Sequence, residues 1–366
     1  MTLSLYVGRR FLWHFMASFL AFGALSFVID AAALMDELKS ADLGFSGTLR
    51  LAFLRMPINL YNMLPIVAVL ASILTFLGLA RSRELVAVRA AGRSATALLL
   101  PVGAVALAIG VVAVSVWNPL AASSFRMFET ETARHKSGSI SAFSLSRKGL
   151  WLRQSDPQTQ TVIFAKRANF DGTLLSGVTF FEFDANGIAQ RRIEAGFARL
   201  ETGAWTLGNG KVWLVNAPGQ VPDRTAKAFQ TLSIPSDLTS DEILDTFGDT
   251  AAVSVWDLPG FIARLEQSGF SGTRHRVAFQ AELATPIFIL AMVLLGAAFT
   301  MRHPRAGRVG ISLLVTVMAA LGAFIFQDFT QVLGANAGVS ILAAAWGPPV
   351  ASLFLAFGLV VIMEEG

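Results

Sequence analysis

No cysteine occurs anywhere in the 366 residues, which excludes a disulfide framework and thiolate metal sites but does not choose a compartment. Histidine is nearly as scarce. His14, His135, His275 and His303 are scattered beside basic residues or at the ends of apolar runs, which points to interfacial placement and away from a metal centre. Charged residues make up only 15% of the chain. A phosphate-binding loop is missing: the nearest approach, Gly208-Asn209-Gly210-Lys211, lacks an upstream glycine and a following Ser or Thr, and reads as a hairpin turn. A nucleophile elbow, a zinc-protease motif and paired catalytic carboxylates are absent too. The net charge of +4 comes without a basic patch interleaved with exposed aromatics, so nucleic acid is not indicated as a partner. Any work this chain performs must draw its energy from elsewhere.

What is present is apolar sequence, 54% of the residues, gathered into six blocks: Leu12 to Leu34, Pro57 to Leu79, Thr96 to Trp117, Arg276 to Met301, Val309 to Phe329 and Ser340 to Met363. Each reaches the about 20 residues needed to cross a hydrocarbon core of about 30 Å. The first is too long for a signal core, lacks a small-residue cleavage pattern and runs into Asp36-Glu37-Leu38-Lys39, so it is expected to be retained as a span. The fold class expected is an α-helical membrane protein with six transmembrane helices.

Basic residues set the expected orientation, because they resist translocation. Arg9 and Arg10 precede the first span, Arg81, Arg83, Arg89 and Arg93 lie between the second and third, and Arg302, Arg305 and Arg308 lie between the fourth and fifth. The loop from Gly334 to Ala345 carries no charge. Both termini are therefore expected in the cytoplasm and the middle of the chain outside it.

That middle, 119–255, reads as an extracytoplasmic all-β domain, a meander closing into a sandwich or jellyroll. Thr161-Val162-Ile163-Phe164, Val178 to Phe183 and Lys211 to Val215 are strand-like, separated by Asp171-Gly172, Asn186-Gly187 and Thr202-Gly203. Some strands are apolar on both faces, and Phe164, Phe180, Phe181, Phe183 and Trp213 are candidates for an apolar lining or for contact with a covering element. Residues 256–270 read as an amphipathic helix at the membrane surface, leading into the last three spans over 271–366. The first three spans occupy 1–118.

One short loop has a pattern of its own. In Arg81-Ser82-Arg83-Glu84-Leu85-Val86-Ala87-Val88-Arg89-Ala90-Ala91-Gly92-Arg93, the residues Leu85, Val88 and Ala91 fall on one helical stripe and Gly92 can end the helix. Such a helix is a handle for a soluble partner or rests on anionic lipid through its arginines.

Pro57 and Pro65, then Leu77-Gly78-Leu79-Ala80, then Ser82 to Gly92 resemble the LptF/LptG permease family, which extracts lipopolysaccharide from the Gram-negative inner membrane. The resemblance runs essentially end to end. Arg147-Lys148-Gly149-Leu150-Trp151, Phe261 to Gly269 and Phe326 to Gly334 are more similar to the LptG branch than to LptF.

The resemblance implies the permease subunit of an ABC exporter that is not itself an enzyme. It implies as partners an LptF-like permease, an LptB-like ATPase dimer that binds ATP and Mg, and LptC-like and LptA-like periplasmic bridge proteins. Arg81, Arg83, Glu84, Leu85, Val88, Arg89 and Gly92 would form the coupling helix, with Glu84 making polar contacts to the ATPase and Leu85 and Val88 packing into its groove. The β-domain would receive the lipid. Spans one and five would form a lateral gate, to which Phe22, Phe27, Asp30, Lys39, Phe324, Phe326, Gln327 and Gln331 are assigned. Lys39, with Arg50 as a second candidate, would meet lipid phosphates, although Lys39 stands among Asp36, Glu37 and Asp42 where relatives carry several lysines. The competing reading is a membrane-anchored scaffold or receptor with an outer β-domain, which would not need Glu84.

Overall fold

The computed structural model describes residues 2–37, 44–90, 94–135, 144–146, 149–155, 159–168, 173–184, 187–201, 203–214, 226–236, 250–267, 271–300, 309–336 and 338–365. Lys39, Gly92 and His303 lie outside them. The chain divides into two compact units, one of helices (Met1–Glu129, Ala251–Leu258 and Thr273–Gly366) and one that is mainly sheet (Thr130–Thr250 and Pro259–Gly272).

Among the described residues, six helical stretches are long and apolar enough to span a membrane, as the hydropathy requires. They are carried by α1 (Thr2–Glu37), α2 (Phe45–Arg81), α4 (Ala95–Val112) running on into α5 (Asn118–His135), α7 (Thr273–Thr300), α8 (Val309–Ala335) and α9 (Ile341–Glu365). The short α3 (Glu84–Ala90) lies between α2 and α4 in the chain, and α6 (Leu258–Gln267) precedes α7. The helical unit is built around α2 and α7, the two spans most enclosed by their neighbours. Without a hydrophobic drive between helices in lipid, close packing needs small residues. Ala284, Ala291, Ala297 and Ala298 on α7 are almost fully covered. A Cβ on Gly296 would fall 2.8 Å from the Ser72 Cβ on α2, and the Ser72 hydroxyl donates to the Val293 carbonyl at 2.6 Å.

The third span does not end with its apolar block. It passes through a π-helical turn, Ala113–Trp117, into α5 and continues to His135. Such turns are rare and leave carbonyls available to other donors. Here the Trp256 indole donates to the Ser115 carbonyl at 3.1 Å, and the Val255 amide donates to Asn118 Oδ1 at 2.8 Å. Arg126 donates to the Ala252 carbonyl at 3.3 Å. These three bonds fasten the segment Ala251–Leu258 along the span.

Among the described residues, the second unit is β, as the alternating sequence demands, apart from the end of α5 and the helix α6. Seven antiparallel strands follow one another in chain order: β1 (Ser144–Ser146), β2 (Gly149–Ser155), β3 (Thr159–Ala168), β4 (Leu174–Asp184), β5 (Ala189–Glu201), β6 (Ala204–Leu214) and β7 (Lys227–Pro235). Within the described residues the order is therefore that of a meander, without Greek-key exchange. One face is a packed core containing Leu152, Ile163, Phe180, Ile193, Trp205 and Leu207.

One expectation is corrected in this unit. Gly208-Asn209-Gly210 is not a hairpin turn but the middle of β6. Its glycines serve packing: a Cβ on Gly208 would fall 2.2 Å from the Phe197 ring, and one on Gly210 would fall 2.4 Å from the Phe229 ring. Both rings occupy the space a side chain would need, a recurrent way of covering glycines in a sheet. Asn209 has φ 52° and stands level with Gly177, φ 62°. The row they share is skipped in the ladders of β3 to β7, and the alternation of buried residues changes phase there: Val178 and Phe180 are covered on one side of it, Leu175 on the other.

The helix α6, expected to rest on the membrane surface, packs its apolar residues Phe261 and Leu265 against the covered face of the sheet. An amphipathic helix buries its stripe against whatever apolar surface is nearest, and here that surface is the sheet.

Candidate functional site

The α2 helix ends where Ser82 turns the chain, its amide donating to the Gly78 carbonyl at 3.0 Å. Arg83 follows with φ 58°, a left-handed conformation that side chains adopt only at about 1 kcal/mol or more. The reversal redirects the backbone so that α3 begins at Glu84.

Glu84 is received by two donors. The Ser82 hydroxyl reaches it at 2.7 Å and the Arg10 guanidinium, from α1, at 3.0 Å. Tyr6, one turn earlier on α1, bonds Arg10 through its hydroxyl at 2.9 Å, and its ring lies 5.9 Å below the guanidinium carbon. The route from α1 to Glu84 passes over Gly78, where a Cβ would come within 3.0 Å of the Arg10 Nη2. Glycine in the Leu77-Gly78-Leu79-Ala80 stretch thus leaves room for an arginine from another helix. Burial alone pushes the Glu84 carboxyl up, but hydrogen bonds from Ser82 and Arg10, the Arg10 charge and a bond from Tyr6 outweigh it and hold the group below the usual carboxylate value.

The apolar stripe of α3 is turned inward. Leu85 is 3% exposed and belongs to the same cluster as Val7, Phe11 and Phe15 of α1, with Val88 packed against it. In this chain by itself, Leu85 and Val88 are therefore not surface knobs as the resemblance implied. A two-residue turn gives the helix no freedom to present an apolar stripe to solvent, and burying it is favourable. What α3 presents outward is Ala87 and Ala90, with Arg81 and Arg83 exposed beside it and Glu84 half-exposed. The side chain of Arg89 lies outside the described residues.

The residues assigned to a gate are not brought together. Phe22 packs on the main helical cluster, Phe27 on a smaller one with Leu34 and Leu51, and Phe324 on a third with Val69 and Phe288. Phe326 is 49% exposed and Gln331 is half-buried. Gln327 keeps its side-chain oxygen buried without a partner among the described residues. α1 packs on α2 and α4, whereas α8 packs on α7, α9 and α2. The two candidate gate helices thus share α2 as a neighbour and make no extensive contact with each other. Arg50 is exposed. Asp30 is 7% exposed and accepts from Asn59 at 2.6 Å and Ser26 at 3.2 Å, with the Arg55 guanidinium 3.9 Å away.

The proposed β-lining divides between two faces. Phe180 is in the packed core. Phe181 and Trp213 stand level across the sheet with Arg192 between them, its guanidinium 5.7 Å from each ring. Phe164 pairs with Trp151, ring centroids 4.7 Å apart. Phe183 sits at a register irregularity of β4. Consecutive phenylalanines in a strand necessarily point to opposite faces.

Several residues were missed by sequence reasoning. Arg10 was counted only as an orientation charge, and its signal was the glycine opposite it. Tyr61 on α2 and Glu282 on α7 form a hydrogen bond inside the helical unit. Glu282 stands alone as an acid in an apolar block, a signal that was visible. His275, expected at an interface, is 3% exposed.

Six membrane-length apolar helices, an all-β unit following the third of them and a short helix tethered to the first define a polytopic membrane protein. The model of one family, lipopolysaccharide export system permease LptF/LptG, matches residues 5–363. The chain belongs to that family, which implies a transport subunit of a lipopolysaccharide export system working with a partner permease and an ATPase. No curated protein matches the chain.

Proposed function

We propose that the chain is the LptG-type permease subunit of an ABC exporter in the bacterial inner membrane, one that extracts lipopolysaccharide and hands it to a periplasmic bridge. In this reading both termini are cytoplasmic and the β-unit is periplasmic, which the arginines of the short loops support. ATP and Mg are bound by a separate LptB-like dimer. An LptF-like permease completes the transport path, and LptC-like and LptA-like proteins accept the lipid.

The observation that carries the reading is α3. It sits between two spans, keeps Glu84 half-exposed, and is tied to the first span through that same carboxylate. A docking helix must be both reachable and mechanically connected. The poorly covered α8, whose Ile311, Leu314, Met318, Leu321 and Phe329 are all exposed, and the free face of α1 supply two separate half-gates, each closed against a second permease rather than against the other. ATP-driven closure of the ATPase dimer moves α3, the cavity between the permeases narrows, and differential affinity of the ATPase for the two cavity states supplies the work.

Co-purification of the tagged chain and its Glu84→Ala variant from membranes tests the assignment. Wild type is expected to bring down an ATPase whose hydrolysis responds to lipopolysaccharide, and the variant to lose recovery or response. No ATPase with either form would favour a membrane scaffold.

A further inference from the structure

We propose that Arg10 is a positioning residue for transport: it is the strut by which displacement of α3 reaches the first span. The proposal rests on reading α3 as the element that docks the ATPase, and adds a path of transmission inside this chain.

The helix α3 is joined covalently to α2 and α4, and its backbone packs against those two. It has no covalent link to α1, and α1 makes no extensive backbone approach to it. The two meet through side chains. Leu85 belongs to the same buried cluster as Val7 and Phe11, and apolar packing of that kind can slide because it is non-directional. The Arg10 bond to Glu84 at 3.0 Å is directional and has a fixed length.

Three features hold the strut in line. Tyr6 fixes the guanidinium from one turn below, the absence of a side chain at Gly78 opens its route, and Ser82 holds the receiving carboxylate at 2.7 Å. The neighbouring Arg9 provides the internal contrast. It carries the same charge at the same end of the helix but is exposed, whereas Arg10 is half-buried. An arginine needed only for orientation in the membrane would have no reason to be threaded over a glycine to a carboxylate on another helix. Glu84 is therefore loaded from both sides: Arg10 holds it from within, and its half-exposed flank faces outward.

The test uses the complete exporter reconstituted with its ATPase and partner permease in proteoliposomes, comparing wild type, Arg10→Gln, Arg10→Lys, Gly78→Ala and Arg9→Gln. Three quantities are read: ATPase subunit recovered with the chain, ATP hydrolysed, and lipopolysaccharide released to a periplasmic acceptor. Arg10→Gln is expected to retain the ATPase subunit and hydrolyse ATP while lipid released per ATP falls about fivefold or more, the range of an ordinary coupling free energy. Arg10→Lys is expected to restore most of the coupling, and Arg9→Gln to behave as wild type. Gly78→Ala keeps every charge and is expected to lower the ratio by displacing the guanidinium. It supplies the decisive reading should Arg10→Gln fail to accumulate. Unchanged coupling in Arg10→Gln or, in that case, in Gly78→Ala overturns the proposal, as does equal loss in Arg9→Gln. Loss of ATPase recovery in Arg10→Gln overturns it too, since Arg10 would then act in docking. If wild type itself recovers no ATPase, the reading of α3 falls first and the strut with it.

Discussion

The Tyr61 hydroxyl on α2 donates to the Glu282 carboxylate on α7, joining the two most enclosed spans of the helical unit by a side-chain bond. Asn118, the first residue after the π-helical turn, accepts from the Val255 amide at 2.8 Å. The Trp117 indole donates to the Pro57 carbonyl of α2 at 3.1 Å, so α2 is bonded both to α7 and to the third span, which in turn holds the segment Ala251–Leu258.

Removing the donor leaves a buried acceptor with one fewer partner, so Tyr61→Phe is expected to destabilise the chain by about 1–3 kcal/mol. Glu282→Gln keeps an acceptor and is expected to be milder than Glu282→Leu, which strands the Tyr61 hydroxyl. Thermal unfolding of the full chain in lipid nanodiscs orders the three variants. Equal midpoints for all of them would show that the bond carries no stability.

The broad architecture was legible because its signals are local. Six spans follow from hydropathy, and the β-unit from alternation and turn residues. What escaped depends on partners distant in sequence. The stretch after Trp117 is polar, and only the bonds to Ala252, Val255 and Trp256 explain how the third span is held as it continues. Gly208-Asn209-Gly210 has the composition of a turn, and only the rings of Phe197 and Phe229 reveal it as strand. The candidate site was half legible. A helix near Arg81 to Arg93 could be read from its stripe, but its inward orientation and its tether to Arg10 could not, because 74 residues separate Arg10 from Glu84.

The glycines of β6 yield a prediction in the second unit. Gly208→Ala places a methyl within the Phe197 ring, so the ring must leave the sheet, and overpacking of this kind costs about 1–3 kcal/mol. Adding Phe197→Ala removes the clash, and the double variant is expected to be less destabilised than the sum of the two singles, because the residues are in contact. Hydrogen exchange of β5 and β6 in the full chain provides the readout. Strict additivity would mean that the ring does not lie over Gly208.

The ionisation of Glu84 is expected to leave the tether intact across the physiological range. Its folded carboxyl is held below the ordinary value of 4.5 by Ser82, Arg10 and Tyr6 against the opposing effect of burial. A depressed carboxylate contributes its full stabilisation above the unfolded value and loses it as pH falls through the folded one. The α3 contact with α1 should therefore be constant from alkaline pH down to the usual carboxylate range, and weaken only below it. A carbon-13 titration of the Glu84 carboxyl in the full chain reads this directly: the midpoint is expected below that of a free glutamate in wild type, and higher in both Ser82→Ala and Arg10→Gln. Because the pair is partly exposed, salt should raise the wild-type midpoint by screening Arg10, while the Ser82 contribution, a neutral hydrogen bond, should persist. A wild-type midpoint at or above the ordinary value would mean that burial outweighs the donors and that Glu84 is not held by Arg10 in solution.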